Sequence, residues 1–241
     1  MSVRNRPLAL ALSLLAAGPV LADTPVDEPL AAIVQGMHSS ELKSYRVMLA
    51  GLDAFEEFHT LAPDAPEMRF RLRPTEEDAD MGDLALRIAG EDTSLAVPVA
   101  ADNTFILPPS ELVADDNADL QLNKPKSKFR WQPDIRSLGV PENMRRLGDL
   151  RLEAKVKIAT AKAEMSFMLK SLVNSLLRSA DWAMHEKILI PTTTARQLAK
   201  ATLLHGDQRI ALDLTPEGHG FQPPIRNKAY PDDALIELVY A

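Results

Sequence analysis

Residues 68–122 read MRFRLRPTEEDADMGDLALRIAGEDTSLAVPVAADNTFILPPSELVADDNADLQL. A weaker copy returns at residues 186–238 as EKILIPTTTARQLAKATLLHGDQRIALDLTPEGHGFQPPIRNKAYPDDALIEL. Leu72 aligns with Ile190, Pro74 with Pro191, Gly90 with Gly206, Leu95 with Ile210, Phe105 with Phe221, Asp115-Asp116 with Asp232-Asp233 and Leu122 with Leu238. The offset stays between 115 and 118 residues over the whole span, so short loop insertions reconcile the two copies. Self-similarity at a fixed separation marks a duplicated unit.

Within the first copy the spacing is that of β-structure. Phe70 and Leu72 alternate with Arg69, Arg71 and Arg73; Leu84, Leu86 and Ile88 fall on one face; Leu95, Val97 and Val99 alternate again. Such alternation places one side of a strand in a core and the other in water. Pro98 lacks the N–H that a central strand donates, so its strand belongs at a sheet edge or carries a bulge. Asp102-Asn103 reads as a turn, with residues 104–107 returning as the hairpin partner.

Outward from this core, the N-terminus reads MSVRNRPLALALSLLAAGPVLA. Arg4 and Arg6 precede a short apolar run, and Val20-Leu21-Ala22 ends in small residues. Residues 1–22 therefore form a secretory signal peptide cleaved after Ala22. The apolar run is shorter than the roughly 20 residues a membrane span needs, so the mature chain is expected to carry no transmembrane segment and to be periplasmic or secreted. Loss of the two arginines takes the net charge from -7 to -9, which argues against nucleic acid as a partner. Cysteine is absent, which excludes disulfides, thiolate metal sites and thiol nucleophiles.

The expected fold class is mainly β: two related small β-sandwich-like modules with one or two amphipathic helices. Residues 23–158 would form a first module, with an N-terminal helix-like segment and a long basic loop at 123–148. Residues 159–241 would add a second helix-like segment and the second β-module. Leu42, Tyr45, Met48, Leu49, Leu52, Phe55 and Phe58 recur at helical spacing, and the prolines of LAPDAP end that element. Leu150, Leu152, Ala154, Val156 and Ile158 alternate with charged residues, which predicts a strand with Arg151, Glu153 and Lys155 in water. Residues 162–185 read as one amphipathic helix packed on a sheet, with a pair of strands as the alternative. An offset of 117 would map residues 41–67 onto 158–184.

Chemical motifs are sparse. The histidines His38, His59, His185, His205 and His219 form no HExxH or other metal-helix spacing, and no serine sits in a GxSxG elbow. The acidic DDNAD at residues 115–119 lacks the EF-hand pattern. No cofactor and no metal is expected. The densest constellation is basic: Lys124, Lys126, Lys128, Arg130, Arg136, Arg145 and Arg146, with Phe129 and Trp131 among them. Guanidinium groups beside an aromatic ring suit anionic or sugar ligands, which makes Arg130, Trp131, Arg136, Arg145 and Arg146 the candidate ligand-binding residues. The alternative is that Trp131 plugs a sheet edge while the arginines pair with carboxylates.

On DNTFILP at residues 102–108 and RWQPDIRSLGVPENMRRLGDLRLE at 130–153, the chain resembles an uncharacterised family of exported proteobacterial proteins. That resemblance brings no activity with it. The hairpin LAVPVAADNTFILP is similar to those of transthyretin-like sandwich modules. The functional expectation is a non-catalytic periplasmic binding or interaction protein whose partner is a cell-envelope protein or an anionic or polar envelope ligand. The alternatives are an envelope-acting hydrolase using carboxylates, and a structural subunit of an envelope complex marked by an exposed apolar patch or an open edge strand.

Overall fold

A computed structural model describes residues 43–76, 79–90, 94–108, 117–124, 128–179, 181–185 and 188–241. The signal-peptide segment, His38 and the Asp115-Asp116 pair lie outside the described residues. The chain runs β1 (Lys43–Ser44), α1 (Tyr45–Glu57), a 3-10 turn (His59–Leu61), β2 (Arg69–Pro74), β3 (Leu86–Ala89), β4 (Ser94–Val97), β5 (Thr104–Phe105), β6 (Asp119–Leu122), β7 (Phe129–Asp134) and β8 (Met144–Arg146). Then follow α2 (Leu147–Glu164), α3 (Phe167–Leu177), a 3-10 turn (Trp182–Met184), β9 (Thr192–Thr193), β10 (Leu198–His205), β11 (Gln208–Ala211), β12 (Gly220–Phe221) and β13 (Leu235–Tyr240). The fold is mainly β, and its sheets are open.

One antiparallel sheet has the order β1-β6-β3-β4 and another the order β8-β13-β10-β11. In the first, Ile88 lies between Leu95 and Leu120; in the second, Leu203 lies between Ile210 and Ile236. Two smaller sheets have the orders β5-β2-β7 and β12-β9. Phe105 pairs with Phe70, and Phe221 pairs with Thr192. Both phenylalanines are fully buried. A helix follows β1 and another follows β8, each entered through the same bond: the Tyr45 amide donates to the Ala118 carbonyl, and the Leu147 amide to the Ala234 carbonyl, both at 2.8 Å.

Several expectations about single elements change. The stretch 150–158 is helical, part of α2, and position 158 lies inside that helix. The physical reason is that α2 is buried on two faces. Leu152 and Val156, four residues apart, enter one apolar cluster. Leu147, Leu150, Ala154 and Ile158, at three- and four-residue spacing, enter the other. Two helical stripes interleaved along the chain imitate the period of a strand. The missed signal was composition: Ala, Leu, Glu, Lys and Arg dominate residues 147–164, with no Pro and a Gly only in the first turn. Consequently Glu153, expected in water, is 3% exposed.

The single helix expected at 162–185 is broken at Met165-Ser166. A new helix starts there, with Ser166 Oγ accepting from the Leu169 amide as its N-cap. The helix preceding the second β-region is therefore α2, which starts at Leu147, 102 residues after the start of α1 at Tyr45 and not at the expected offset of 117. Asp102-Asn103 does turn the chain, with Asn103 at φ 63° and its amide bonded to the Ala100 carbonyl at 2.8 Å. The returning segment leaves its expected partner, however: β5 pairs with β2, where Phe105 stacks on Phe70 at 5.7 Å between centroids. The strand before Pro98 does sit at the sheet edge, as β4. The loop 123–148, expected to be irregular, contains β7 and β8.

Helices α1 and α2 pack against each other in opposite directions. Gly51 allows this approach, since a Cβ there would lie 2.9 Å from Thr160 Cγ2 and 3.3 Å from Val156 Cγ1. At the other end Gly148 donates its amide to the Asp232 carbonyl at 2.8 Å. A Cβ on Gly148 would run into the Leu61 carbonyl oxygen and lie 3.0 Å from that of Asp232. Both obstacles are backbone and neither can rotate away. Gly148→Ala is expected to destabilise the fold by about 1–3 kcal/mol or more, as overpacking does. Leu152→Ala should cost roughly 2–5 kcal/mol as a cavity in the core. Urea unfolding monitored by circular dichroism measures both.

Candidate functional site

The five basic and aromatic residues singled out in the sequence do not share one surface. Arg130 is exposed on β7, directly across from Arg73 of β2. Trp131, the next residue, points to the other side. Its ring meets Phe105 edge-on at 5.6 Å, it packs against the first apolar cluster, and its buried Nε1 has no hydrogen-bond partner among the described residues. Arg136 is exposed, with its Nε donating to Asp134 Oδ1 at 3.3 Å and its Nη1 to the Met144 carbonyl at 3.4 Å. Arg145 is interior: its Nη2 donates to Glu153 Oε1 at 2.6 Å and to the Ile135 carbonyl at 3.2 Å. Arg146 Nη1 donates to the Leu61 carbonyl at 2.8 Å, tying β8 to the 3-10 turn that follows α1.

Arg136, Arg145 and Arg146 belong to a charge network between β2, β7, β8 and the first half of α2. Arg71 bridges Asp134 and Asp102. Glu153 Oε1 also accepts the Ile135 amide at 3.0 Å. Asp149, one turn earlier on the helix, accepts from the Ser137 amide at 3.0 Å and from Ser137 Oγ at 2.6 Å. The two α2 carboxylates thus fasten the chain that leaves β7. They are buried because α2 turns apolar stripes to two clusters, so its remaining face also meets protein.

Burial acts to raise the Asp134 carboxyl, but Arg145, Arg136 and Arg71 together outweigh it and hold the pKa at about 2. Burial pushes the Asp149 carboxyl above its ordinary value, against the Ser137 bonds and Arg145. Arg73, whose Nε donates to Gln132 Oε1 at 3.1 Å and Nη2 to the Thr193 carbonyl at 3.3 Å, is lowered to about 10 by burial first and Arg71 next. Burial likewise lowers Lys157, which reaches the Pro191 carbonyl at 3.4 Å.

A cleft of about 340 Å³ opens beside α2, with Leu61, Ala154, Ala183 and Ile225 among its apolar lining and Arg151 and Asp232 at its polar side. Arg151 is committed to the loop that walls it, donating to the carbonyls of Ile225 at 3.0 Å, Asn227 at 2.8 Å and Tyr230 at 3.0 Å, and pairing with Asp232. Among the described residues no three His, Asp or Glu side chains converge as metal ligands. His59 Nε2 bonds the Ala65 carbonyl at 2.9 Å, and His205 meets the Tyr230 ring at 5.3 Å.

The most unusual surface is on α3, which sequence reasoning placed in the core. Phe167 is 82% exposed, Met168 81%, Leu172 54% and Leu176 46%, with Leu169 beside them at 36%. The helix is held from its other side: Val173 and Leu177 enter the second apolar cluster, and Asn174 Oδ1 accepts from Trp182 Nε1 at 2.7 Å. Residues 165–177, MSFMLKSLVNSLL, carry more apolar side chains than one helical face can bury, and that surplus was the signal available in the sequence. Among the described residues no helix is long and apolar enough to cross a membrane. No protein-family model matches the chain, and no curated protein or solved structure is measurably similar to it.

Two predictions follow from the charge network. Arg145→Ala leaves Glu153 buried without its cation and should cost about 3–5 kcal/mol, whereas Arg130→Ala, at an exposed position, should stay within roughly 0.5 kcal/mol; equilibrium denaturation of the two variants checks this. The second concerns pH. Asp134 has a folded pKa of about 2, below the 3.8 ordinary for the unfolded chain, so its contribution is present above pH 4 and is lost as pH falls from about 4 to 2. A displacement of this size corresponds to about 2 kcal/mol. Asp149, raised by burial, works in the opposite sense and favours the fold as pH falls. Replacing Asp134 by Asn should therefore flatten the stability-versus-pH curve between pH 4 and 2, measured by urea titration at fixed pH.

Proposed function

We propose that this chain is an exported, non-catalytic interaction protein of the cell envelope, built from two related β-modules, and that it meets its partner through α3. The exposed apolar face of α3 carries this reading. Monomeric soluble proteins rarely leave a contiguous patch of large apolar side chains in water unless something covers it. Here Met168, Leu172 and Leu176 recur every four residues along one helix. That feature also suits the structural-subunit form of the reading, in which the partner is a component of an envelope complex.

Duplication is supported by the matched strand orders and by the shared register of Leu95 and Ile210, each paired to the central strand of its sheet. Leu122 faces Leu86, and Leu238 faces Ala201, at corresponding places. The sandwich-like character of the first module is supported by an apolar cluster that takes Phe70 and Phe105 from one sheet and Ile88 and Leu120 from the other. Export rests on the N-terminal sequence, MSVRNRPLALALSLLAAGPVLA, with cleavage after Ala22.

The chain lacks cysteine, so a single introduced thiol can report contacts. Periplasmic material should give an N-terminus at Asp23 by mass spectrometry. In cells, a cross-linker on Leu172→Cys should capture an envelope component, while one on Arg130→Cys should not. Intact Met1 on a cytoplasmic protein, or equal capture from both positions, overturns the reading.

A further inference from the structure

We infer that the partner of α3 is the surface of a bilayer containing anionic phospholipid, a conclusion that rests on the proposed envelope role and specifies its partner. Three observations favour a lipid surface. First, the exposed side chains form a stripe. At 100° per residue Met168, Leu172, Leu176 and Leu169 fall within about 100° of one another on the helix surface, and Phe167 adds an aromatic ring at the start of the helix. This is the shape of a helix lying in the plane of an interface with one side among the acyl chains.

Second, the charge is complementary. Residues 165–178 contain Lys170 and Arg178 and no acid, in a chain of net charge -7. Glu164 and Lys162 precede this segment, and Asp181 after it is ion-paired with Lys155 at 2.7 Å. A helix is about 10–12 Å across, so both cations lie within roughly a Debye length of a surface touched by the stripe. They would be drawn to anionic headgroups.

Third, the area suits a shallow contact. A helix with the 11 residues of α3 is about 16 Å long. One exposed stripe of that length falls well short of the roughly 800 Å² per partner that a stable protein pair buries. A second copy docked through this stripe alone would not be held, whereas reversible membrane attachment needs only a few inserted side chains and a favourable charge.

The test uses the protein as purified from expressing cells, with matched N-termini for wild type and variants. Vesicles of phosphatidylethanolamine with phosphatidylglycerol are compared with vesicles of phosphatidylcholine by co-sedimentation. Wild type should bind the anionic vesicles at least tenfold more tightly. The triple variant Phe167→Ser, Met168→Ser, Leu172→Ser should lose at least tenfold, with an unchanged circular dichroism spectrum and melting temperature. Leu172→Glu alone provides a second variant should the triple one fail to fold, and Lys170→Gln with Arg178→Gln should remove most of the preference for anionic lipid. Equal binding by wild type and the serine variant, no binding by wild type, or a lipid-free dimer that dissolves in the serine variant overturns the inference. If vesicle binding fails while the Leu172→Cys cross-link to an envelope protein persists, the bilayer is the wrong partner and the envelope role stands. If both fail, both are wrong.

Discussion

Helix α2 is packed on two sides, with Leu152 and Val156 in one apolar cluster and Leu147, Leu150, Ala154 and Ile158 in the other. Every larger feature of the fold answers to that position. Its first turn must pass against the Leu61 and Asp232 carbonyls, which is why residue 148 has no side chain. Its middle must let α1 approach, which is why Gly51 faces Val156 and Thr160. Its remaining face carries Asp149 and Glu153, which bind the backbone of residues 135–137 and the guanidinium of Arg145. A buried carboxylate stripped of its cation is costly, while the pair itself adds little beyond an apolar replacement. The network therefore acts chiefly to fix how β7, β8 and α2 fit together.

The two halves of the chain are joined at several points around this helix. Arg73 reaches the Thr193 carbonyl, and Thr193 Oγ1 donates to Gln132 Oε1 at 2.6 Å, so β2, β7 and β9 share one polar seam. Arg151 gathers three carbonyls and Asp232 from the loop that leads to β13. Arg145 and Arg146 are turned to such joints, and the exposed apolar side chains proposed as the docking surface lie on α3. That helix is attached by Val173, Leu177 and the Asn174–Trp182 bond.

The parts of the fold legible in sequence are those where neighbours along the chain determine burial. Phe70, Leu72, Leu86 and Ile88 alternate because each strand has one buried side, and Pro98 marks an edge because it removes a ladder donor. Residues whose surroundings come from distant segments were misread. Glu153 looked solvated because its strand-like pattern hid a second buried helical face. Arg145 looked like a ligand-binding cation, although its partner lies on the next element and both are interior. Met168 and Leu172 looked like core, since nothing local distinguishes a helix face that is covered from one that is not.

By itself the sequence determined the β-rich character, the helical stretch that became α1 and the edge placement of β4. Each depends on periodicity or on the covalent limits of Pro, and both are properties of short stretches. Only the tertiary structure decided that residues 147–164 are helical, that β5 leaves its turn to pair with β2, that the arginines close on carboxylates and that α3 faces outward. The deciding energy is burial, which for Arg145 and Glu153 comes from the segments that enclose the pair although its members are only eight residues apart, and that quantity exists only once the chain has folded.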